Sequence, residues 1–252
     1  MKRIFIIPLI FIFTGFVSGQ TRVIAHRGFW DCGGSAQNSL VSLHKAHEAG
    51  CYGSEFDVIV TADGVPVIHH DDTIDSLVIE ATNYDQIKDK KLKNGEILPT
   101  LEQYFIHGRA CFPTKLILEI KPHSTKKKEI RAVGTVIRMM KRYKMQDQVE
   151  FISFSMNICK AILRLMPTAK VSYLDGNVSP QELKTLGLTG LDYDYKILEK
   201  KPEWVSQAKE LGLTTNAWTV NDQKDMEILI GMGVDYITTN KPLLLKDVLE
   251  KK

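Results

Sequence analysis

Short apolar runs alternate with longer amphipathic stretches along almost the whole chain after residue 20. The runs are rich in β-branched residues and are only a few residues long, which is typical of buried strands. Eight of them are predicted as strands: RVIAH (22–26), SEFDVIV (54–60), LILEI (116–120), VEFISF (149–154), KVSYL (170–174), LDYDY (191–195), TTNAWTV (214–220) and DYITT (235–239).

The stretches between most of these runs have the spacing and the boundaries of helices. Residues 38–50 place Leu40, Leu43 and Ala46 on one helical face and end at Gly50. The same pattern of start and stop residues predicts helices within 179–187, 202–212 and 222–233.

Strands that alternate with helices, without a break in composition, predict an α/β fold. We expect a single (β/α)₈ TIM-type barrel, and an open doubly wound sheet is the alternative. Residues 72–99 are polar and irregular, and we interpret them as a short insertion into the barrel.

One segment, 54–72, interrupts the alternation. A second apolar run follows the first after only four residues, which is too short for a parallel crossover and indicates a β-hairpin. A two-residue turn at Asp63-Gly64 would place Asp57 opposite His70. Glu55 shares a strand face with Asp57, so the hairpin predicts a cluster of two carboxylates and one imidazole.

The first nineteen residues have the layout of a secretory signal peptide. Lys2 and Arg3 precede an apolar stretch that ends in small residues at Ser18 and Gly19. We expect cleavage near Gly19, which leaves the barrel as residues 20–252 in the periplasm or outside the cell. A retained membrane anchor is the alternative, although the run is shorter than the ~20 residues of a typical span.

Charge and cysteine content narrow the classes of partner. Without Lys2 and Arg3 the chain has 31 basic and 30 acidic residues, and this near-neutral balance does not indicate a nucleic-acid partner or attraction to an anionic membrane surface. The four cysteines form no CxxC pair, so a zinc knuckle is not supported, and we expect buried free thiols rather than disulfides.

Charged residues concentrate at the carboxyl ends of the first predicted strands, where functional groups of parallel barrels gather. They are His26, Arg27, Glu55, Asp57, Glu119 and Lys121. Clustered carboxylates repel one another unless a cation binds, and oxygen ligands suit Ca²⁺ or Mg²⁺. A metal beside histidines and cations suits acid–base chemistry on an anionic phosphate.

The same residues carry a resemblance to a known family. AHRG, QNS, EFD, DGVPVIHHDDT, LEIK, ISFS, NAWTVN and GVDYITTNKP occur in an order that resembles the glycerophosphodiester phosphodiesterases. The resemblance implies a metal-dependent barrel that hydrolyses small glycerophosphodiesters to an alcohol and glycerol 3-phosphate. It implies His26 and His70 as the catalytic pair, Glu55, Asp57 and Glu119 as metal ligands, and Arg27 and Lys121 as phosphate contacts.

Several features remain open at this level. Gln37 stands where the family usually has glutamate, which removes a negative charge near the site. Phe154 and Trp218, at late strand ends, are candidates for an apolar wall against the substrate, with core packing as the alternative. We favour His26 as base and His70 as acid. A phospholipase-type enzyme acting on lipid headgroups, or a non-catalytic phosphodiester-binding barrel, are the alternative functions.

Overall fold

A computed structural model of the chain describes residues 20–251. The strands are β1 (Arg22–Ala25), β2 (Gly53–Val60), β3 (Pro66–Ile68), β4 (Thr73–Ile74), β5 (Leu77–Val78), β6 (Lys115–Ile120), β7 (Val149–Ser153), β8 (Val171–Tyr173), β9 (Gly190–Asp194), β10 (Thr214–Trp218) and β11 (Tyr236–Thr239). The helices are α1 (Leu40–Glu48), α2 (Leu101–Ala110), α3 (Lys126–Tyr143), α4 (Met156–Leu165), α5 (Pro180–Thr185), α6 (Tyr195–Lys200), α7 (Glu203–Glu210), α8 (Gln223–Met232) and α9 (Pro242–Glu250).

Eight parallel strands close into a barrel, as the sequence predicts. The order is β1, β2, β6, β7, β8, β9, β10 and β11, and β11 pairs with β1 to complete the ring. All eight predicted strand segments are in this ring. Helices cover the outside of the barrel, and side chains from the strands fill its inside. Both faces of each strand are therefore buried, which explains why the strand sequences are nearly continuous apolar runs.

Local capping explains where the predicted helices begin. Ser39 accepts a hydrogen bond from the backbone N–H of Ser42 at the start of α1, and Ser179 caps α5 in the same way through Glu182. These bonds satisfy backbone donors that have no partner in the first turn. The predicted stretches 38–50 and 179–187 each contain the observed helix together with its cap.

The hairpin after the second barrel strand is present, but the predicted register is wrong by one residue. The loop has three residues rather than two, because Thr61 pairs with Val65 and Gly64 adopts a φ of 94°. A third residue in a left-handed conformation is the usual way to close such a loop. As a result, Asp57 does not lie opposite His70 in the hairpin. Its carbonyl oxygen instead accepts a hydrogen bond from the backbone N–H of His69.

The insertion packs against this hairpin through a small apolar cluster of its own. Strands β4 and β5 and two short 3₁₀ turns, Ile79–Ala81 and Tyr84–Gln86, make up its regular structure. Ile79 and Leu98 are fully buried there against Ile59 and Val67 of the hairpin. The cluster therefore ties the insertion to the hairpin on the strand face that Ile59 shares with Asp57.

The cysteines are free thiols, as the sequence predicts. All four cysteines are free; Cys51, Cys111 and Cys159 are buried as expected, whereas Cys32 is partly exposed. Within residues 20–251, none of the helices has both the length and the apolar character needed to cross a bilayer. The predicted signal peptide, 1–19, lies outside the described residues.

Candidate active site

Alternation along the strands places the site directly above an apolar plug inside the barrel. The plug consists of Ile24, Ile117, Ile152, Leu174 and Tyr236. Because successive side chains point to opposite faces, the residue two positions further along a strand faces the same interior. Polar groups therefore follow the plug toward the carboxyl ends, such as His26 after Ile24 and Glu119 after Ile117.

Three carboxylates meet at this level of the barrel. Glu55 and Asp57 lie on one face of β2, and Glu119 lies on β6 in register with Asp57. Each offers one oxygen, and these oxygens all lie within 4.8 Å of one another. All three residues are buried. The predicted metal ligands are thus brought together as a group that could hold a cation.

The three carboxylates of this cluster differ in the direction of their pKa shifts. Burial, with the charges of Asp57 and Glu119, raises the pKa of Glu55 well above its usual range. Burial and the charge of Asp57 likewise raise the pKa of Glu119 to about 8. Although burial opposes it, the charges of Lys121 and His70 leave the pKa of Asp57 lowered. A divalent cation bound beside Glu55 and Glu119 would favour their ionised forms and so oppose the rise in their pKa values.

Hydrogen bonds and one ammonium hold the carboxylates in place. The backbone N–H of Arg27 donates to Glu55 Oε2 over 2.7 Å. Asn38 clamps Asp57 twice, donating from Nδ2 to Oδ2 and accepting from its backbone N–H. Lys121 Nζ lies 3.2 Å from Glu119 Oε1 and 3.6 Å from Asp57 Oδ1. These contacts fix the orientation of the three carboxylates.

The turn after β1 makes these contacts with two successive residues in the left-handed backbone conformation. Arg27 has a φ of 55° and Gly28 a φ of 75°. A Cβ at Gly28 would lie 2.2 Å from Ser42 Oγ, and the Gly28 N–H donates to the carbonyl of Glu55 over 3.0 Å. Only glycine fits such a close approach at a positive φ, which explains the Gly of the HRG motif.

His26 lies at the end of β1 with one ring nitrogen engaged. Its Nδ1 is 2.8 Å from Asn240 Oδ1, and its backbone N–H donates to the carbonyl of Thr239. Burial and the charge of Arg27 lower the pKa of His26 to about 4. The imidazole is therefore neutral at physiological pH, as a proton acceptor must be.

His70 follows β3 and reaches the site from the hairpin. Its Nδ1 is 2.7 Å from Asp71 Oδ1, so its partner is a carboxylate rather than an amide. Because β3 ends at Ile68, the alternation of side chains along that strand does not determine which way the side chain of His70 points. It lines the same space as His26, even though the register that predicted this is wrong.

These groups surround a cavity of about 110 Å³ at the carboxyl end of the barrel. Eight of the nine predicted site residues line it: His26, Arg27, Glu55, Asp57, His70, Glu119, Phe154 and Trp218. Lys121 does not line the cavity, because its ammonium is engaged with the carboxylates of Glu119 and Asp57. The phosphate contact expected of Lys121 stays a prediction.

The opposite wall of the cavity is apolar. Phe154 and Trp218 form an edge-to-face pair with ring centroids 5.5 Å apart, and Ile152 and Leu174 lie beside them. Trp218 Nε1 donates to the backbone carbonyl of Asp192 over 2.8 Å, which fixes the indole. The two rings therefore both pack against the core and face the cavity.

Sequence reasoning missed three residues around the site. Asp192 lines the cavity floor, and burial raises its pKa to about 7. Asn240 binds His26, and Trp30 Nε1 donates to the same Asn240 Oδ1 over 3.1 Å. Asn240 sits in the motif GVDYITTNKP, which was the available signal, whereas nothing in the local sequence distinguishes Trp30.

A second depression, of about 620 Å³, lies at the opposite end of the barrel around Arg22, Tyr52 and Lys246. It contains neither a histidine nor a group of carboxylates. The chemistry that can hold a cation, neutralise an anion and transfer protons is therefore concentrated at the carboxyl end.

Comparison with known proteins agrees with this geometry. Residues 26–244 match the model of the glycerophosphoryl diester phosphodiesterase family. A glycerophosphodiester phosphodiesterase from Caldanaerobacter subterraneus is 30% identical over 92% of this chain and 99% of its own length.

Solved structures agree as well. A glycerophosphodiester phosphodiesterase from Parabacteroides distasonis is 50% identical, with a TM-score of 0.91 over 92% of this chain and 98% of that one. An Oleispira antarctica phosphodiesterase, solved in complex with the product sn-glycerol-3-phosphate, is 26% identical, with a TM-score of 0.79 over 92% and 97% of the two chains. The chain belongs to the glycerophosphoryl diester phosphodiesterase family.

Proposed function

We propose that this chain hydrolyses small glycerophosphodiesters to an alcohol and sn-glycerol 3-phosphate in the cavity at the carboxyl end of the barrel. The observation that carries the proposal is the convergence of three buried carboxylates, one arginine and two histidines on a single cavity. The related Oleispira antarctica enzyme, solved with this product, supports the same assignment.

Glu55, Asp57 and Glu119 would hold the divalent cation, with Ca²⁺ and Mg²⁺ as the candidates. Glu119 Oε1 is buried and accepts no hydrogen bond of good geometry within residues 20–251, and its charged neighbour there is the ammonium of Lys121 at 3.2 Å. When bound, the cation would neutralise charge on a phosphate oxygen.

Arg27 is the residue best placed to bind the phosphate. Its Nε is buried and donates no hydrogen bond within the described part of the chain, although Asp57 Oδ2 lies 3.8 Å away. Its other arm donates to Gln37 Oε1 over 2.7 Å, which orients the guanidinium without neutralising it. Lys121 contributes by balancing the charge of the carboxylates, and its contact with phosphate stays a prediction.

The partners of the two histidines support different roles for them. Asn240 offers His26 a neutral oxygen, and burial keeps the ring uncharged, which suits a base. Asp71 Oδ1 lies 2.7 Å from His70 Nδ1, so this ring is oriented by a charged acceptor. We therefore assign His26 as general base and His70 as general acid.

In the reaction, one histidine removes a proton and the other supplies one. His26 takes a proton from the attacking hydroxyl, whose oxygen forms a new bond to phosphorus. The bond from phosphorus to the alcohol oxygen breaks, and His70 gives that oxygen a proton. Arg27 stabilises the charge that builds on the phosphate oxygens in the transition state. The attacking hydroxyl belongs to water, or to the glycerol 2-hydroxyl if a cyclic phosphate forms first. In the second case water then attacks phosphorus, the bond from phosphorus to the 2-oxygen breaks, and that oxygen gains a proton, which gives glycerol 3-phosphate.

The test is hydrolysis of glycerophosphocholine, glycerophosphoethanolamine and lysophosphatidylcholine with Ca²⁺, with Mg²⁺ and with a chelator. We expect release of glycerol 3-phosphate from the first two substrates, dependent on the cation. Turnover of the lysophospholipid alone would support a phospholipase-type enzyme, and binding without any turnover would support a phosphodiester-binding barrel.

We further propose that the enzyme acts after export, in the periplasm or outside the cell. The support is the charged, apolar and small-residue order of residues 1–19 alone. N-terminal sequencing of the protein from the culture medium or the periplasm should give a chain that begins near Gln20.

A further inference from the structure

We propose that Asn240 and Trp30 act together as positioning residues that hold neutral His26 in the tautomer with its proton on Nδ1. This leaves the lone pair on Nε2 as the proton acceptor of the reaction. The inference rests on the proposed function for its catalytic meaning, but the tautomer itself is a property of the free protein.

The argument begins at Trp30, since an indole N–H can only donate. Its Nε1 lies 3.1 Å from one terminal atom of Asn240, so that atom must be the amide oxygen and not the amide nitrogen. The same atom is 2.8 Å from His26 Nδ1. An oxygen that already accepts one hydrogen bond accepts the second, so Nδ1 carries the hydrogen.

Without Trp30 the amide of Asn240 would be free to reverse. Its nitrogen would then face His26, would donate to Nδ1, and would move the ring proton to Nε2. A base with its proton on the reacting nitrogen cannot accept another, so a reversal would stop proton transfer. Trp30 therefore selects the productive orientation of the amide.

The neighbouring backbone keeps the three side chains in register. The N–H of Asn240 donates to Asn221 Oδ1 over 2.8 Å, which fixes the start of the segment after β11. Asp31, next to Trp30, forms an ion pair with Lys241, next to Asn240. The loop after β1 and the loop after β11 are thus joined at successive residues, although they are separated by about 210 positions in the sequence.

The choice of an amide also distinguishes His26 from the other histidine. His70 has the carboxylate of Asp71 as its Nδ1 partner, over 2.7 Å. An amide fixes the tautomer of His26 equally well but adds no negative charge. His26 is therefore oriented by a neutral acceptor, whereas His70 is oriented by a charged one.

The direct test is ¹⁵N NMR of the full protein labelled at histidine, at a pH where His26 is neutral. The spectrum of His26→Ala identifies the His26 signals by their disappearance. We expect a protonated Nδ1 and an unprotonated Nε2 in the wild type. A wild-type His26 with its proton on Nε2 overturns the proposal, whatever the enzyme hydrolyses.

Three variants separate positioning from mere packing. Asn240→Asp keeps an oxygen that accepts from both Trp30 and His26, and should retain at least about a tenth of the wild-type kcat. Asn240→Leu has a similar size without the oxygen, and should lower kcat by about 10²-fold or more while KM changes little. Trp30→Phe should lower kcat by up to about tenfold and give mixed tautomer signals, whereas Trp204→Phe in α7 is the control that should do neither.

The outcomes distinguish this inference from the proposed function. Equal losses in Asn240→Asp and Asn240→Leu, or full activity in Asn240→Leu, would show that the oxygen does not matter. If Asn240→Leu does not fold, the tautomer of His26 in the wild type and in Trp30→Phe still tests the proposal. A wild type with the expected tautomer but without hydrolysis would leave the inference standing and remove the proposed function.

Discussion

Arg27 and Glu55 are joined by a hydrogen bond of 2.7 Å from the backbone N–H of the arginine to Oε2 of the glutamate. This contact ties the phosphate side of the cavity to the carboxylate side. Since the two sides are this close, a change of charge on one should alter binding or stability on the other.

Replacing Glu119 by glutamine should change how stability depends on pH. Burial and Asp57 raise the pKa of Glu119 from 4.5 to about 8, so the folded protein holds a proton that the unfolded chain has lost. In a chelator, the wild type should therefore lose stability relative to Glu119→Gln as pH rises from about 4.5 to 8. Urea unfolding of both proteins across this range measures the difference.

Adding Ca²⁺ should reverse the order of the two proteins. The wild type should gain stability because the cation binds the folded state, whereas Glu119→Gln should gain much less. A difference between the two proteins that is constant from pH 4.5 to 8 in chelator would contradict the raised pKa.

The pH dependence of kcat/KM should reflect the burial of His26. Burial and Arg27 lower its pKa from 6.5 to about 4, against the opposing effects of Asn240 and Asp57. The ring is neutral above this value, so loss of the base on the acid side should occur near pH 4. Initial rates at saturating cation at each pH measure this limb. An acid limb near pH 6.5 that depends on His26 would contradict the assignment.

The two histidines should respond differently to the leaving group. His26→Ala and His70→Ala should each lower kcat/KM on glycerophosphocholine by ~10²–10⁴-fold, with the fold intact by circular dichroism. A nitrophenyl leaving group needs no proton, so a nitrophenyl phosphodiester of glycerol should restore activity to His70→Ala only. Recovery of His26→Ala instead would exchange the two roles.

Gln37→Glu should weaken binding of the anionic substrate. Gln37 accepts from the Arg27 guanidinium over 2.7 Å, and a carboxylate there would neutralise that charge. We expect KM, and the inhibition constant of glycerol 3-phosphate, to rise by about threefold to tenfold, with a smaller change in kcat. Steady-state kinetics measure both, and Gln181→Glu on α5, away from the cavity, is the matched control. An unchanged KM would show that Arg27 does not bind the phosphate.

The hairpin shows where sequence reasoning failed and why the conclusion survived. Asp63-Gly64 is compatible with loops of two and of three residues, and only the pairing of Thr61 with Val65 distinguishes them. The wrong choice shifted the register by one residue. His70 still lines the cavity, because it lies beyond the end of β3, where the alternation of the strand no longer applies.

The sequence by itself determined the alternation of strands and helices, the placement of Glu55 and Asp57 on one strand face, and the strand ends where chemistry gathers. These follow from the periodicity of apolar residues and from the alternation of side chains along a strand, both of which are set within a few residues of the chain. Only the tertiary structure decided that Lys121 turns to the carboxylates and that Trp30 and Asn240 meet at His26. Such contacts join residues far apart in the chain, and they depend on how the closed barrel brings its first and last strands together.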